Sequence, residues 1–125
     1  MSEHLTTILH QDQRYKTCGD WRYDAAGNLH ITASFMDNPR YEMLVKIHEL
    51  VEAFLCGEAG VSQAQVDAFD IEFEAKRKPG DLSEPGDSKE APYRRQHEAA
   101  TTVEKIVCAE AGIAWDDYER TVNAL

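Results

Sequence analysis

The chain has 125 residues, of which 42% are apolar, and this is room for one hydrophobic core, so a single globular domain is expected. Its net charge of −10 argues against nucleic acid as a partner, because phosphate contacts need clustered Lys and Arg. No apolar run approaches the roughly 18 residues of a membrane span, the N-terminus lacks a signal-peptide pattern, and the three cysteines form no CxxC pair. These features predict a cytoplasmic protein that makes no membrane contact.

The first 38 residues are predicted to be rich in strands. Residues 29–35 alternate between apolar and polar side chains, which is the period of a strand with one buried face. Residues 21–23 show a similar alternation, and the turn-forming segment 24–28 predicts a β-hairpin between the two strands. Residues 5–10 are predicted to add a third strand to this small sheet.

From residue 41 onward the apolar period becomes helical. Two helices are expected within residues 41–76, and the first of them is predicted to span 41–56. The second is expected to begin after Ser62, because Gln65 stands three residues further on in capping-box spacing.

A polar stretch that repeats Pro-Gly-Asp predicts a flexible loop over residues 77–91. Helices three and four are then expected within residues 92–125, and the third is predicted to start at Pro92, a residue suited to a first helical turn. The predicted fold is therefore α+β: an antiparallel β-hairpin or small sheet followed by three to four helices, in a single domain of residues 1–125.

The first predicted helix places a histidine and a glutamate among apolar neighbours. On a helical wheel, at about 100° per residue, apolar residues border His48 and Glu52 on both sides. Burial of a carboxylate without a partner is unfavourable by several kcal/mol, so Glu52 must have one. The apolar arc that is predicted to be buried includes Met43, Leu50 and Phe54. The narrow sector that is predicted to face solvent consists of Glu42, Lys46, Glu49 and Ala53.

The third predicted helix repeats the arrangement with His97 and Glu104. Neutral imidazole and carboxylate are suitable metal ligands, and the i, i+4 spacing of His48 and Glu52 places both over one helical turn. We therefore predict that His48, Glu52 and His97 bind one divalent metal ion, zinc in preference, and leave a position open for water. Asp70 is predicted as a fourth ligand or as an outer partner of a ligand. Glu104 is predicted as an outer partner, because it lies two turns from His97.

A metal-free interpretation stays open at this point. Buried histidines that are hydrogen-bonded to glutamates also occur as purely structural polar networks in protein cores. The two interpretations differ in what they predict for a chelator, which would matter only if a metal joins the two helices.

The segment 47–55, with the sequence IHELVEAFL, resembles the active-site helix of the zincin metallohydrolases, where an apolar residue precedes His-Glu-x-x-His. This chain departs from that pattern at Glu52, where the family has its second histidine. The resemblance implies that His48 and Glu52 are metal ligands and that His97 is a distant third ligand. It further implies that Glu49 is the general base that takes a proton from water held by the metal.

The whole chain also resembles small proteins of tailed bacteriophages and prophages. The segments that carry this resemblance are residues 19–21, 67–70 and 91–93. It implies a bacterial host cell and supplies no mechanism.

Three functions are compatible with these patterns. The leading hypothesis is a metal-dependent hydrolase with Glu49 as its base. A rival is an all-α nucleoside triphosphate pyrophosphohydrolase, in which Glu49 and Glu52 on one helix and Glu98 or Glu104 on another would hold Mg²⁺. A non-enzymatic alternative is an interaction or inhibitor protein with a structural metal, whose acidic surface binds a basic protein partner. The substrate and the oligomeric state stay open.

Overall fold

The structure, a computed structural model, describes residues 2–125 and has the predicted α+β fold. The strand order is β1-β3-β2, with β2 antiparallel and β1 parallel to β3. The hairpin is therefore confirmed, whereas the third strand makes the sheet mixed and lies two residues earlier than the predicted 5–10. The three strands are β1 (Glu3–Ile8), β2 (Gly19–Tyr23) and β3 (Leu29–Ser34).

The turn between β2 and β3 is organised by Asp24. Its carboxylate accepts a hydrogen bond from the backbone N–H of Asn28, and Gly27 adopts a φ of 85°, which side chains other than glycine rarely allow. The turn fixes the register in which Trp21 lies opposite Ile31. Trp21 is thereby directed to the face of the sheet that the helices cover.

Four helices follow the sheet: α1 (Pro39–Ala59), α2 (Gln63–Ala75), α3 (Arg94–Glu110) and α4 (Trp115–Asn123). α1 is longer at both ends than the predicted 41–56. At its start the Asn38 side chain accepts two backbone N–H groups of the first turn, and at its end Gly60 adopts a left-handed φ of 74°. The capping box of Ser62 and Gln65 is confirmed at the start of α2.

The connection between α2 and α3, predicted as a flexible loop at 77–91, has hydrogen bonds of its own. The guanidinium of Arg77 donates to the backbone carbonyls of Asp81 and Ser83. A short 3-10 turn, Pro85–Asp87, follows, and Gly86 within it is buried. This turn packs against α2 and α3, which brings it to the candidate site.

α3 begins at Arg94 and not at the predicted Pro92. Pro92 lies in the preceding turn, and Tyr93 is the N-cap residue, whose carbonyl accepts the backbone N–H of His97. The proline ends the connection instead of opening the helix. The predicted inward direction of His97 is unaffected, since this side chain is buried.

α1 lies between the sheet and α3, and this position decides which of its faces is buried. Glu42 and Ala53, predicted to face solvent, are 5% and 1% exposed. Met43, Leu50 and Phe54, predicted to be buried, are 36–62% exposed. The helical-wheel prediction was wrong here because residues on the polar side of α1 make contacts with other parts of the protein. Glu42 accepts backbone N–H groups that precede the helix, and the small Ala53 allows close packing on the sheet.

The core consists of two clusters of buried side chains around α1. The first joins the sheet to α1 and α2 and includes Trp21 and Ile31, and the second joins α1 to α3 and α4 and includes Leu44 and Tyr118. Across residues 2–125, the helices lack the combination of length and apolarity that crossing a membrane requires.

Candidate metal centre

α1 and α3 bring three buried donor atoms together. Nε2 of His48 is 3.1 Å from Oε2 of Glu52 and 3.2 Å from Nδ1 of His97. The third distance, from His97 Nδ1 to Glu52 Oε2, is 3.0 Å. The three residues are 4–7% exposed and form a group that could hold a metal ion, so their predicted convergence is present. We call these three atoms the donor triangle.

The size of the donor triangle matches the spacing of ligand atoms around one ion. Bonds of about 2.0–2.1 Å at angles of about 90–110° place two ligand atoms roughly 2.9–3.4 Å apart. All three sides of the donor triangle, at 3.0–3.2 Å, fall in that interval. Three protein ligands are also the usual number in catalytic zinc sites, which keep a further position for water or substrate.

Hydrogen bonds on the outer side of these ligands fix the orientation of His48 and Glu52. Nδ1 of His48 is 2.8 Å from Oε1 of Glu104, which accepts the proton of this nitrogen, so Nε2 is the nitrogen that can release its proton and offer a lone pair to an ion. The other oxygen of Glu104 accepts from the Tyr118 hydroxyl at 2.5 Å. Oε1 of Glu52 accepts from the indole N–H of Trp21 at 3.1 Å. Outer partners of this kind orient metal ligands.

The ring of His97 contributes Nδ1 to the donor triangle and directs Nε2 towards the 3-10 turn. Nε2 lies 2.9 Å from Oε2 of Glu84 and 3.4 Å from Oδ1 of Asp87. Neither contact is aligned for a hydrogen bond, so this buried nitrogen has no hydrogen-bond partner within residues 2–125. Gly86 lies against the ring, since a Cβ there would be 2.3 Å from Cγ of His97. Only glycine allows the turn to approach the imidazole this closely.

Three lone pairs that face one another require a positive charge between them. In the metal-free protein, protons bound to the histidines supply this charge. Burial opposes the charged form of His97, but its contacts with Glu52 and Glu84 outweigh this and raise its pKa to about 10. Burial likewise opposes the charge of His48, whose pKa is nevertheless raised well above 6.5 by Glu104 and Glu52. Burial disfavours the Glu52 carboxylate, yet the two histidines lower its pKa to about 2.

Glu49 lies beside the donor triangle without being part of it. It is partly buried on the wall of the cavity that His48, Glu52 and His97 also line, and no hydrogen bond within residues 2–125 holds its carboxyl group. Burial raises the pKa of Glu49 well above 4.5, and the charge of Glu52 raises it further. Gly19 leaves space for it, since a Cβ there would be 2.8 Å from Oε1 of Glu49.

Asp70 is not brought to the donor triangle. Its carboxylate accepts hydrogen bonds from the hydroxyls of Tyr15, at 3.0 Å, and Tyr93. Burial raises the pKa of Asp70 to about 7 against the opposing effect of these hydrogen bonds. The ring of Tyr93 is 6.1 Å from that of His97, so Tyr93 lies between Asp70 and the donor triangle.

The cavity beside the donor triangle is strongly acidic. It has a volume of about 240 Å³, and nine Asp and Glu side chains line it together with Lys16, Arg77 and three histidines. Arg77 is already paired with Glu74 at 2.8 Å. The cavity is therefore suited to cations and neutral molecules and unsuited to polyanions.

Four residues that the sequence did not identify complete the site: Trp21, Tyr118, Glu84 and Gly86. The two aromatic residues look like ordinary core residues in the sequence, and their polar atoms gain a role only when the fold places them beside Glu52 and Glu104. A usable signal for the other two is the Pro-Gly-Asp repeat, which by itself predicts only a loop.

Comparison of the chain with known protein families, with curated proteins and with solved structures finds no match. The resemblance of residues 47–55 to the zincin helix therefore stays a prediction. A function for the protein is therefore inferred from the geometry of the site.

Proposed function

We propose that this protein binds one divalent transition-metal ion, zinc in preference, at the donor triangle and hydrolyses a substrate with Glu49 as the general base. The proposal is carried by the convergence of three buried donor atoms at 3.0–3.2 Å. Because Glu104 accepts the Nδ1 proton of His48, Nε2 is the nitrogen that can release its proton and bind an ion. Three protein ligands would leave a position for water, and this position and the unengaged carboxyl group of Glu49 would distinguish the site from a closed structural one.

The donor set favours a transition metal over Mg²⁺. Two imidazole nitrogens and one carboxylate oxygen suit zinc and its neighbours, whereas Mg²⁺ prefers oxygen ligands and retains its water. A pyrophosphohydrolase would need Glu98 or Glu104 as a ligand. Glu98 is exposed and paired with Arg94 at 3.1 Å, and both oxygens of Glu104 are engaged. The acidic cavity would also repel a triphosphate.

In the proposed chemistry, the ion activates water and the side chains of the protein accept its proton and hold the ligands. A bound transition-metal ion supplies Lewis acidity, which lowers the pKa of water to about 7. Glu49 accepts the proton, because its carboxyl group is not engaged elsewhere and faces the same cavity. A raised pKa suits this role, since it makes the carboxylate of Glu49 bind a proton more readily than an ordinary one does. Trp21 keeps the ligand Glu52 in place.

Metal analysis of the untagged protein tests the first half of the proposal. We expect at least one equivalent of zinc or a related metal per chain, because three ligands are already in position. His48→Ala should lose the metal, and His4→Ala, which changes an exposed histidine on β1, should retain it. A wild-type protein that carries no metal and takes up no added Zn²⁺ would contradict the proposal.

A second candidate is an interaction protein in which the metal has only a structural role. The observation that favours it is the exposed apolar side of α1, formed by Met43, Leu50 and Phe54. Screening the metal-loaded protein against ester, phosphoester and peptide libraries separates the two. Hydrolysis supports the enzyme, and a metal-loaded protein that cleaves none of them leaves the interaction protein.

A further inference from the structure

Two carboxylates face the outer nitrogen of His97 and form a second group of potential ligands. Oε2 of Glu84 is 2.9 Å and Oδ1 of Asp87 is 3.4 Å from Nε2, and the three residues offer donor atoms within 4.8 Å of one another. We propose that Glu84, Asp87 and Nε2 of His97 form a second site for a divalent first-row transition-metal ion. His97 would then bridge this ion to the one at the donor triangle.

A single outer partner for His97 accounts for one of these carboxylates but not for both. One N–H group needs one acceptor, but two carboxylates approach it and neither is aligned for a hydrogen bond. The side chains of Glu84 and Asp87 are 55% and 59% exposed and are free to turn into water. Within residues 2–125 the only ion pair either carboxylate forms is with His97. Two neighbouring carboxylates repel each other, and a bound cation removes that repulsion.

The backbone holds the two carboxylates at this position. Gly86, between them in sequence, packs against the imidazole so closely that a Cβ would be 2.4 Å from Nδ1. Arg77 holds the preceding segment in place by donating hydrogen bonds to the backbone carbonyls of Asp81 and Ser83. The approach of the turn to His97 is therefore set by packing and by backbone hydrogen bonds.

The donor set determines the class of ion. Two carboxylate oxygens and one imidazole nitrogen suit divalent first-row metals such as zinc or manganese, and water can complete the ligands on the exposed side. When Nδ1 already binds the first ion, ligation by Nε2 releases the remaining ring proton to solvent, and the ring becomes a bridging imidazolate. No electron is transferred. The bridging role rests on the proposed function, whereas the second site by itself does not.

Titration of the metal-free full-length protein with Zn²⁺ in a calorimeter tests this inference. We expect two ions per chain in two steps, with about one proton released in the weaker step, measured in buffers of different ionisation enthalpy. Asp87→Asn should weaken that step at least about tenfold and leave the first unchanged, because Asp87 does not contact the donor triangle. Glu90→Gln, an exposed carboxylate of the same connection, is the matched control and should bind two ions.

Failure of this inference is distinguishable from failure of the proposed function. One ion per chain that is lost in His48→Ala and unchanged in Asp87→Asn overturns the second site and supports the donor triangle. One ion that is lost in Asp87→Asn and retained in His48→Ala supports the second site and contradicts the first. Two ions that are both unaffected by Asp87→Asn also overturn the second site.

Discussion

Glu49 and Glu52 are three positions apart on α1, yet their environments give them different chemistry. Glu52 has both oxygens engaged, by Trp21 on one side and the two histidines on the other, and its pKa is lowered to about 2 despite its burial. Glu49 has no such partners, and burial raises its pKa well above 4.5. A carboxylate that is held as an anion suits a ligand, and one that binds protons readily suits a base.

Substitution of each glutamate by glutamine is expected to separate these roles. Glu49→Gln should retain the metal and lower any hydrolytic rate by about 10²–10⁴-fold, because an amide cannot accept the proton of water. Glu52→Gln should instead weaken metal binding. Metal content and initial rates are measured for both, with Glu58→Gln, an exposed glutamate at the end of α1, as the control. Full activity in Glu49→Gln would exclude it as the base.

The indole N–H of Trp21 is expected to contribute to metal affinity without contacting the ion. Trp21→Phe keeps an aromatic ring but removes the hydrogen bond to Oε1 of Glu52, so zinc should bind about 10–100-fold more weakly. Trp115→Phe is the matched control, because its indole N–H reaches only the exposed Glu119. Competition with a chromophoric chelator measures both affinities. Equal losses in the two variants would show a general packing effect instead.

At the scale of elements, the interface between α1 and α3 is polar at its centre and apolar on both flanks. His48 and Glu52 on α1 meet His97 and Glu104 on α3, and these four side chains are 4–7% exposed. The histidines attract protons when no metal is present and must release them to bind one. Protons and metal therefore compete at this interface.

This competition predicts opposite pH trends for the melting temperature of the metal-free protein and for the increase that Zn²⁺ adds to it. The pKa of His97, raised to about 10, makes its contribution to the free energy of unfolding complete below 6.5 and lost as the pH rises towards 10. The lowered pKa of Glu52, about 2, adds a contribution that is present above 4.5 and lost below it. From about pH 6.5 to 8, the metal-free melting temperature should fall.

Over the same interval, the increase in melting temperature produced by Zn²⁺ should grow, since fewer protons compete for His48 and His97. Differential scanning calorimetry across this pH interval, with Zn²⁺ or with chelator, measures both trends. An increase that does not vary with pH would indicate binding elsewhere than at these histidines.

At the scale of the whole molecule, a bound ion would join two parts of the chain that are about 50 residues apart in sequence. An ion that binds only the folded state adds about 2.7 kcal/mol to the free energy of unfolding when its concentration is 100 times Kd. Chelator should therefore lower the melting temperature by several degrees. His48→Ala should abolish this sensitivity, and His4→Ala should preserve it. An unchanged wild-type melting curve favours the metal-free polar network.

The sequence by itself determined the α+β class, the hairpin and the pairing of histidine with glutamate on two helices. Local rules were sufficient for the turn at Asp24, the capping box at Ser62 and the i, i+4 spacing of His48 and Glu52, because each depends on neighbours within a few residues. The inward direction of His97 also followed from its apolar neighbours on α3. These features are properties of single elements.

The tertiary structure alone decided which side of α1 is buried and which atoms complete the site. A helical wheel averages apolarity around one helix, but α1 is covered by the sheet and by α3, so Glu42 became buried and Phe54 exposed. Trp21 and Glu84 come from other elements, and no local pattern relates them to His48 or His97. Their positions depend on the packing of the sheet and of the 3-10 turn against the helices, which a pattern within one element does not contain.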